Sequence, residues 1–313
     1  MPMTRRDLLT KIAAGSVSAV AAGCVTGTAL TSVAYAEEPL KVLPHAVGML
    51  YDATRCVGCK SCVAACAEAN NLQPDTRLDG LHQAPTDLNA FTKNIIKLYK
   101  PASGDGFSYV KQQCMHCVDP ACVAGCSFHA LTKDKDNGVV SWHSSLCSGC
   151  RYCQIVCPYH VPRFEWEGRN PLIVKCEMCK ERLAVGKEPA CTTVCPTRAV
   201  IFGHRDDLLA EAKKRIKKTP GKYFEDRVFG EFEGGGTQVL YLSHVPFENL
   251  GFPHLGTESI PDKFLKWQKL AYSYMAVPVV LYVTMVGVMR KNWASHQEHM
   301  EEEQKKTGLR AQL

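Results

Sequence analysis

The sequence predicts an α+β fold in which short strands and helices are joined by cysteine-rich loops. Two segments of alternating polar and apolar residues, Ile95–Tyr99 and Ser108–Lys111, are typical of strands. Asp206–Lys218 begins with acidic residues and ends with basic ones, which suits the dipole of a helix. The hydrophobic fraction of 46% and the charged fraction of 22% fit a globular protein and exclude disordered and collagen-like chains. The net charge of +6 is too small to indicate a nucleic-acid partner.

Residues 1–36 are predicted to be an export signal. Arg5-Arg6 belongs to a twin-arginine pattern, a weakly apolar stretch follows, and Ala34-Tyr35-Ala36 is an A-x-A cleavage site. The alternative, an N-terminal anchor helix, fits the glycine content and the cleavage motif less well. Cys24 lies in this segment and is discounted, because Ala21 replaces the leucine expected of a lipoprotein signal. Twin-arginine export carries folded proteins, so the pattern predicts a body that leaves the cytoplasm with its cofactors bound.

The other 16 of the 17 cysteines form four motifs of four, and these carry the functional prediction. The motifs are Cys56, Cys59, Cys62 and Cys66; Cys114, Cys117, Cys122 and Cys126; Cys147, Cys150, Cys153 and Cys157; and Cys176, Cys179, Cys191 and Cys195. The first and third match the bacterial ferredoxin pattern C-x2-C-x2-C-x3-C, which binds 4Fe–4S clusters. In that pattern three thiolates bind one cluster and the fourth binds its neighbour. Four motifs therefore predict four clusters, held by motifs that work in pairs.

Disulfides and structural zinc are the alternatives for these cysteines. Disulfides occur in exported proteins, but four dense C-x2-C motifs would scramble on oxidation. Zinc uses C-x2-C pairs as well, but the third and fourth cysteines of each motif would then be surplus. No C-x2-C is followed by histidine, so covalent haem attachment is not predicted. No nucleophile–base pair and no nucleotide fingerprint is found, so no catalytic residue is predicted.

Short elements are predicted between the motifs. Gly48–Tyr51 is predicted as a strand, and Asp136-Asn137-Gly138 as a hairpin turn that leads into Val139–Trp142. Residues 70–90 are polar and are predicted as an insertion. Short helices are expected to follow Cys62, Pro120, Cys153 and Glu177. Four basic residues beside the cysteines could offset the negative charge of the clusters, namely Lys60, Arg151, Lys175 and Lys180, and His116 could donate a hydrogen bond to one, although simple packing is its commoner role.

Leu270–Met289 is a run of 20 uncharged residues that predicts one membrane-spanning helix. At about 1.5 Å per residue it would cross the bilayer core of about 30 Å. Trp267 and Trp293 flank the run, as in an aromatic belt. The alternative is a buried core helix. We expect residues 205–262 to extend the cysteine-rich body of 37–204, residues 263–291 to form the anchor, and residues 292–313 to form a polar tail.

The chain resembles the polyferredoxin subunits of membrane-bound respiratory oxidoreductases. It resembles in particular the iron–sulfur subunit of hydrogenase-2-type nickel–iron hydrogenases, through the segments Gly48–Asp52, Cys114–Pro120 and Gly234–Leu240. The same cysteine frame is similar to the beta subunit of formate dehydrogenase-N, through Val185–Cys191 and the x11 spacing of the fourth motif. That subunit normally lacks its own export signal, so the twin-arginine pattern favours the hydrogenase type.

The resemblance implies two tandem ferredoxin-like dicluster units with no catalytic role of their own. Electrons from the small and large hydrogenase subunits, or from a molybdopterin enzyme such as formate dehydrogenase, would pass through this subunit to an integral membrane subunit and quinone. It also implies a location on the periplasmic side of the cytoplasmic membrane. In these families the first motif pairs with the fourth and the second with the third. The implied ligand sets are Cys56, Cys59, Cys62 and Cys195; Cys66, Cys176, Cys179 and Cys191; Cys114, Cys117, Cys122 and Cys157; and Cys126, Cys147, Cys150 and Cys153.

Overall fold

The computed structural model describes residues 42–72, 87–101, 107–164 and 173–310. The chain divides into a body, Glu38–Lys263, and a second unit that includes Phe264–Leu313. The predicted export signal and most of the predicted insertion, from residue 73 to residue 86, lie outside the described residues. Those two assignments therefore stay predictions from the sequence.

The body has a mixed α and β architecture built from short elements, as predicted. Its strands are β1 (Val47–Asp52), β2 (Asn94–Tyr99), β3 (Ser108–Gln113), β4 (Leu131–Lys133), β5 (Val140–Trp142), β6 (Arg163–Phe164), β7 (Ile173–Val174), β8 (Val200–His204) and β9 (Val239–Leu242). The helices are α1 (Ser61–Ala69), α2 (Ala121–Ala124), α3 (Tyr152–Ile155), α4 (Lys180–Leu183), α5 (Ala190–Thr193) and α6 (Arg205–Lys218), and α7 (Ile260–Arg310) leads out of the body.

The central sheet has the strand order β8-β1-β9. Strand β1 pairs antiparallel with β8 and parallel with β9, so it is covered on both edges. Because successive side chains of a strand point to opposite faces, Leu50 and Leu240 pack with Leu208 of α6, while Tyr51 and Tyr241 join the core on the other face. That second core also contains cysteines of all four motifs, either buried within it or packed against it. The sheet thus joins an ordinary hydrophobic core to the cysteine loops.

Two hairpins confirm the strand predictions. Strands β2 and β3 pair antiparallel, with Asn94 opposite Gln113 and Ile96 opposite Lys111. Strands β4 and β5 pair antiparallel around the predicted Asp-Asn-Gly turn. Gly138 of that turn has φ +75°, a conformation that glycine adopts without the strain of a Cβ.

A buried ion pair fastens α6 to the end of β1. The Asp52 carboxylate is fully buried and accepts a hydrogen bond from Arg215 Nη1 at 3.1 Å and from the Tyr223 hydroxyl at 3.2 Å. Arg55, which is exposed, adds an ion pair at 3.5 Å. Asp52 also accepts hydrogen bonds from the backbone and hydroxyl of Thr54.

We expect Arg215→Met to destabilise the body, because it leaves the buried Asp52 carboxylate without its main cation. Breaking a buried pair from one side costs about 3 kcal/mol, and the apparent Tm of the purified protein should fall on the order of 10 °C. Circular dichroism during heating measures this. The double variant Asp52→Asn with Arg215→Met removes both charges and should melt higher than Arg215→Met alone. Equal melting of wild type and Arg215→Met would contradict the assignment.

Helix α7 differs from the spanning helix that the sequence predicts. Within the part of the chain that the structure describes, no helix is both long and apolar enough to cross a membrane, so the predicted anchor at Leu270–Met289 is not supported. The helix also passes through Pro278 and continues into the charged segment that follows, ending at Arg310. Most of the predicted polar tail is therefore helical.

Candidate metal centres

All four Cys-x-x-Cys loops share one backbone feature. The residue before the second cysteine is left-handed in each: Gly58 (φ 69°), His116 (φ 46°), Gly149 (φ 72°) and Met178 (φ 54°). A left-handed residue in such a turn directs successive backbone N–H groups to one side, which forms the concave nest that binds anions and iron–sulfur groups. The left-handed state is costly for His116 and Met178, since both carry a Cβ. The sequence did not predict this conformation at those two positions.

Helices position the third cysteine of all four motifs. Cys62 lies on α1, Cys122 on α2, Cys153 on α3 and Cys191 on α5. The helix that carries Cys62 begins after Lys60, and the one that carries Cys153 begins after Arg151, and both of these cap residues are left-handed. Each such helix starts at its loop, so the thiol of its cysteine is held next to those of the loop. The short helices predicted after Pro120 and Glu177 are also present.

The sixteen cysteines of the motifs are free thiols, and most have pKa values raised by burial. Burial and the neighbouring thiols raise the pKa of Cys66 and of Cys153 to about 12. Burial raises the pKa of Cys62 to about 11, even though Lys111 opposes the shift. Cysteines bind metals as thiolates, and metal binding displaces their protons. Thiols crowded in this way need a positive centre to exist as thiolates.

Cys195 behaves differently from these buried thiols. Burial opposes ionisation here too, but backbone N–H groups of Val200, Ala199 and Thr197 and the Thr197 hydroxyl together lower the pKa of Cys195. The Ala199 N–H lies 3.2 Å from the sulfur. Hydrogen bonds of this kind favour the ligating thiolate and, in iron–sulfur proteins, influence the reduction potential.

The thiols fall into four sets by their effects on one another's pKa values. One thiol is said to respond to another when the charge of the second raises the pKa of the first. Cys62 responds to Cys56, Cys59 and Cys195. Cys191 responds to Cys176 and Cys66, and Cys66 responds to Cys179 as well. Cys117 responds to Cys114, Cys122 and Cys157. Cys153 responds to Cys126, Cys147 and Cys150. These sets have the same members as the nested pairing that the resemblance implies.

Three further electrostatic couplings join one set to the next. Cys191 responds to Cys62, which links the second set to the first. Cys114 responds to Cys176, which links the third set to the second. Cys122 responds to Cys153, which links the third set to the fourth. The described thiols thus follow one another in a row.

A pocket that opens to solvent lies at the fourth set. It is lined by Cys126, Cys147, Cys150 and Cys153, together with residues that include Phe128, Leu131 and Ile173. Among the residues that the structure describes, no cluster of three or more His, Cys, Asp or Glu side chains is arranged to hold a single metal ion. The four thiols of this donor set fit a 4Fe–4S cluster.

Two lysines lie inside the protein beside the thiols. Lys175, which the sequence singled out, is buried and donates to the carbonyl oxygens of Val140 at 2.5 Å and Cys176 at 3.0 Å. Lys111 is fully buried and was missed, because Ser108–Gln113 looks like an ordinary half-exposed strand. Lys180 instead pairs with Glu177 at 2.9 Å near the surface. The sequence could not reveal that a charged residue in the strand before a cysteine motif is buried.

His116 is a buried, neutral ring between two cysteines of the second motif. Its Nδ1 accepts the Val140 N–H at 3.0 Å, so the proton of the neutral ring is on Nε2. Burial lowers the pKa of the ring well below its ordinary value, and Lys175 and Lys133 lower it further. Within the described part of the chain, Nε2 has no hydrogen-bond partner. Its Nε2–H is therefore a buried donor without an acceptor in the described part of the chain.

The chain is similar to a known family over its cysteine-rich segment and to individual proteins over most of its length. A family described as "4Fe-4S dicluster domain" matches residues 106–205. The hydrogenase-2 operon protein HybA of Escherichia coli O157:H7 is 37% identical over 309 residues, which cover 88% of this chain and 94% of that protein. The formate dehydrogenase-O iron-sulfur subunit of Escherichia coli K12 is 31% identical over 272 residues, or 83% and 90% of the two chains. The nitrate-inducible formate dehydrogenase iron-sulfur subunit of the same strain is 34% identical over 202 residues, or 63% and 68%.

Proposed function

This chain belongs to the family of iron–sulfur electron-transfer subunits that includes the hydrogenase-2 operon protein HybA, and we propose that it holds four 4Fe–4S clusters in a row and conducts electrons between two partner subunits. The observation that carries the proposal is the grouping of sixteen thiols into four sets that follow one another. The shared left-handed turn of the four loops gives independent support.

We assign the ligands to the clusters by these sets. The first cluster takes Cys56, Cys59, Cys62 and Cys195; the second Cys66, Cys176, Cys179 and Cys191; the third Cys114, Cys117, Cys122 and Cys157; and the fourth Cys126, Cys147, Cys150 and Cys153. Each 4Fe–4S cluster supplies one-electron redox chemistry when bound. The chain contributes the thiolates, the backbone donors around them and an interior from which water is excluded.

The buried residues between the sets support a continuous path. Tyr241 is fully buried, and burial raises the pKa of its hydroxyl. Cys176, Cys191 and Cys114 raise it further, so the hydroxyl lies between the second and third sets. Its hydroxyl donates to the Lys111 carbonyl at 2.7 Å, which fixes the ring. The chain itself needs only to hold and insulate the clusters, so the proposed role is electron transfer without bond chemistry.

The proposed partners are the small and large subunits of a nickel–iron hydrogenase and an integral membrane subunit that reduces quinone. Coverage of 94% of the hydrogenase-2 operon protein supports this choice. The twin-arginine pattern supports a location on the periplasmic side of the cytoplasmic membrane. The second candidate is the beta subunit of a formate dehydrogenase or a related molybdopterin enzyme. The 31% identity over 90% of the formate dehydrogenase-O subunit favours it.

The catalytic partner can be identified by the activity that copurifies with the chain. We expect a tagged chain, extracted anaerobically in mild detergent, to bring down hydrogen-dependent reduction of a viologen dye and no formate-dependent reduction. In washed whole cells, a viologen that does not cross the cytoplasmic membrane should be reduced equally well before and after permeabilisation. An untagged strain is the control. Formate-dependent activity alone would establish the second candidate, and reduction only after permeabilisation would contradict the periplasmic location.

A further inference from the structure

Lys111 is a charged residue in the interior of the body. It lies on β3 opposite Ile96, and none of its side chain is exposed. Its ammonium donates to Oε1 of Gln113, a residue that is itself buried and that donates its amide to the Met49 sulfur. An ammonium has three N–H donors, and Gln113 is its single hydrogen-bond acceptor among the described residues. No carboxylate of the described chain forms an ion pair with it.

A buried ammonium without a counter-charge is unstable in a protein interior. Burial of an isolated charge is costly, and buried lysines normally become neutral or find a negative partner. The charges that surround Lys111 belong to the thiols of two sets: Cys62 of the first, and Cys66, Cys176 and Cys191 of the second. Burial acts to lower the pKa of Lys111, but these four thiols outweigh it, and the pKa is raised. The ammonium therefore lies where the proposed clusters are net negative.

We propose that the Lys111 ammonium is the counter-charge of the first and second cluster sites and raises the reduction potential of the clusters bound there. The inference rests on the proposed function. Reduction adds one electron to a site that is already negative, and a fixed positive charge stabilises the more negative state. In low-dielectric surroundings this interaction is stronger than at the surface. Lys111 is not a ligand of either cluster. It acts on their reduction potentials through its charge.

The chain offers matched variants for a test. Lys111→Met and Lys111→Gln remove the charge and keep a side chain of similar length, while Lys111→Arg keeps the charge. Lys97 lies on the neighbouring strand β2, is partly exposed, and pairs with Asp87 at 3.8 Å. None of the thiol shifts involves Lys97, so Lys97→Met is the control for the loss of a lysine from the same hairpin.

The experiment is a potentiometric titration of the full chain, purified anaerobically with its clusters, with dithionite as the reductant and electron paramagnetic resonance as the readout. We expect two of the four redox components to shift to lower potential in Lys111→Met and Lys111→Gln. The equilibrium constant for their reduction should fall at least tenfold, which corresponds to about 59 mV for a one-electron couple. Lys111→Arg and Lys97→Met should titrate like the wild type.

The outcomes separate this inference from the proposed function. A wild-type chain without iron–sulfur signals would refute the proposed function. Wild-type potentials in both neutral variants, at full iron content, would overturn the role of Lys111 alone. If both neutral variants lose iron while Lys111→Arg keeps it, the counter-charge role is supported, because only chains with a positive charge at this position then retain their clusters. Loss of iron in Lys111→Arg as well would overturn it, because side-chain shape and not charge would then be what matters.

Discussion

Iron-free protein is expected to show no cooperative folding transition. The largest hydrophobic core contains Cys62, Cys114, Cys157, Cys176 and Cys191 among its buried members, so the cluster sites are part of the interior and not additions to it. Without a bound metal group, the loops lose the partner that holds them. In small metal-binding domains the free energy of metal binding is folding free energy. The chain should therefore depend on its clusters for its tertiary structure.

The backbone adds to this dependence. His116, Met178 and Cys179 are all left-handed at non-glycine residues in or next to the ligand loops. Strained conformations of this kind cost about 1–3 kcal/mol each and persist only where the surroundings enforce them. In the iron-free chain nothing enforces them, and the loops should relax.

Near-ultraviolet circular dichroism during heating is the appropriate measurement, because it reports side-chain packing and not helix content. Helix α7 is long, and from Phe264 onward it belongs to the second unit, so far-ultraviolet signals would include helix that does not depend on the clusters. The holo-protein, treated identically but without chelator, is the control. A sharp melting transition in the iron-free chain would show that the body folds without clusters.

The sequence was informative wherever short-range patterns decide the structure. Alternation predicted β2 and β3, the Asp-Asn-Gly turn predicted the β4–β5 hairpin, and the charge pattern predicted α6 within a residue of its start. The parallel pairing of Met49 with Val239 was beyond such reasoning, because partners 190 residues apart leave no local signal. The burial of Lys111 was missed for the same reason, since it is set by neighbours distant in sequence.

The predicted C-terminal anchor is not supported by the described structure. A count of uncharged residues in Leu270–Met289 suggested an anchor, whereas no helix in the described part of the chain is both long and apolar enough to cross a membrane. The cysteine spacing was a stronger guide, because ligand chemistry restricts which residue types can occupy those positions.

Loss of any one ligand set should interrupt electron flow through the whole row, and the pairing of the motifs can be tested in the same variants. Cys66→Ser and Cys191→Ser lie in the first and fourth motifs, yet both belong to the second set, since Cys191 responds to Cys66 and Cys176. We expect each variant to lose the same redox component and about four iron atoms, the content of one cluster.

The pairing predicts the spectra as well as the iron content. Cys62→Ser and Cys195→Ser should lose a different component from Cys66→Ser, although Cys62 and Cys66 are only one helical turn apart on α1. Electron paramagnetic resonance of the four variants, with Cys24→Ser as a control outside the ligand sets, separates nested pairing from pairing of adjacent motifs. If Cys66→Ser removed the same component as a variant of the second motif, the assignment would be wrong.

The functional consequence depends on the arrangement in a row. The couplings of Cys191 to Cys62 and of Cys114 to Cys176 connect the second set to both of its neighbours. A gap at this set would leave the sets on either side intact but separated. We therefore expect the assembled complex of a Cys66→Ser chain to keep substrate-dependent dye reduction, which needs only the catalytic partner, and to lose quinone reduction. Quinone reduction at the wild-type rate would mean that electrons bypass the second set, and the row would not be their path.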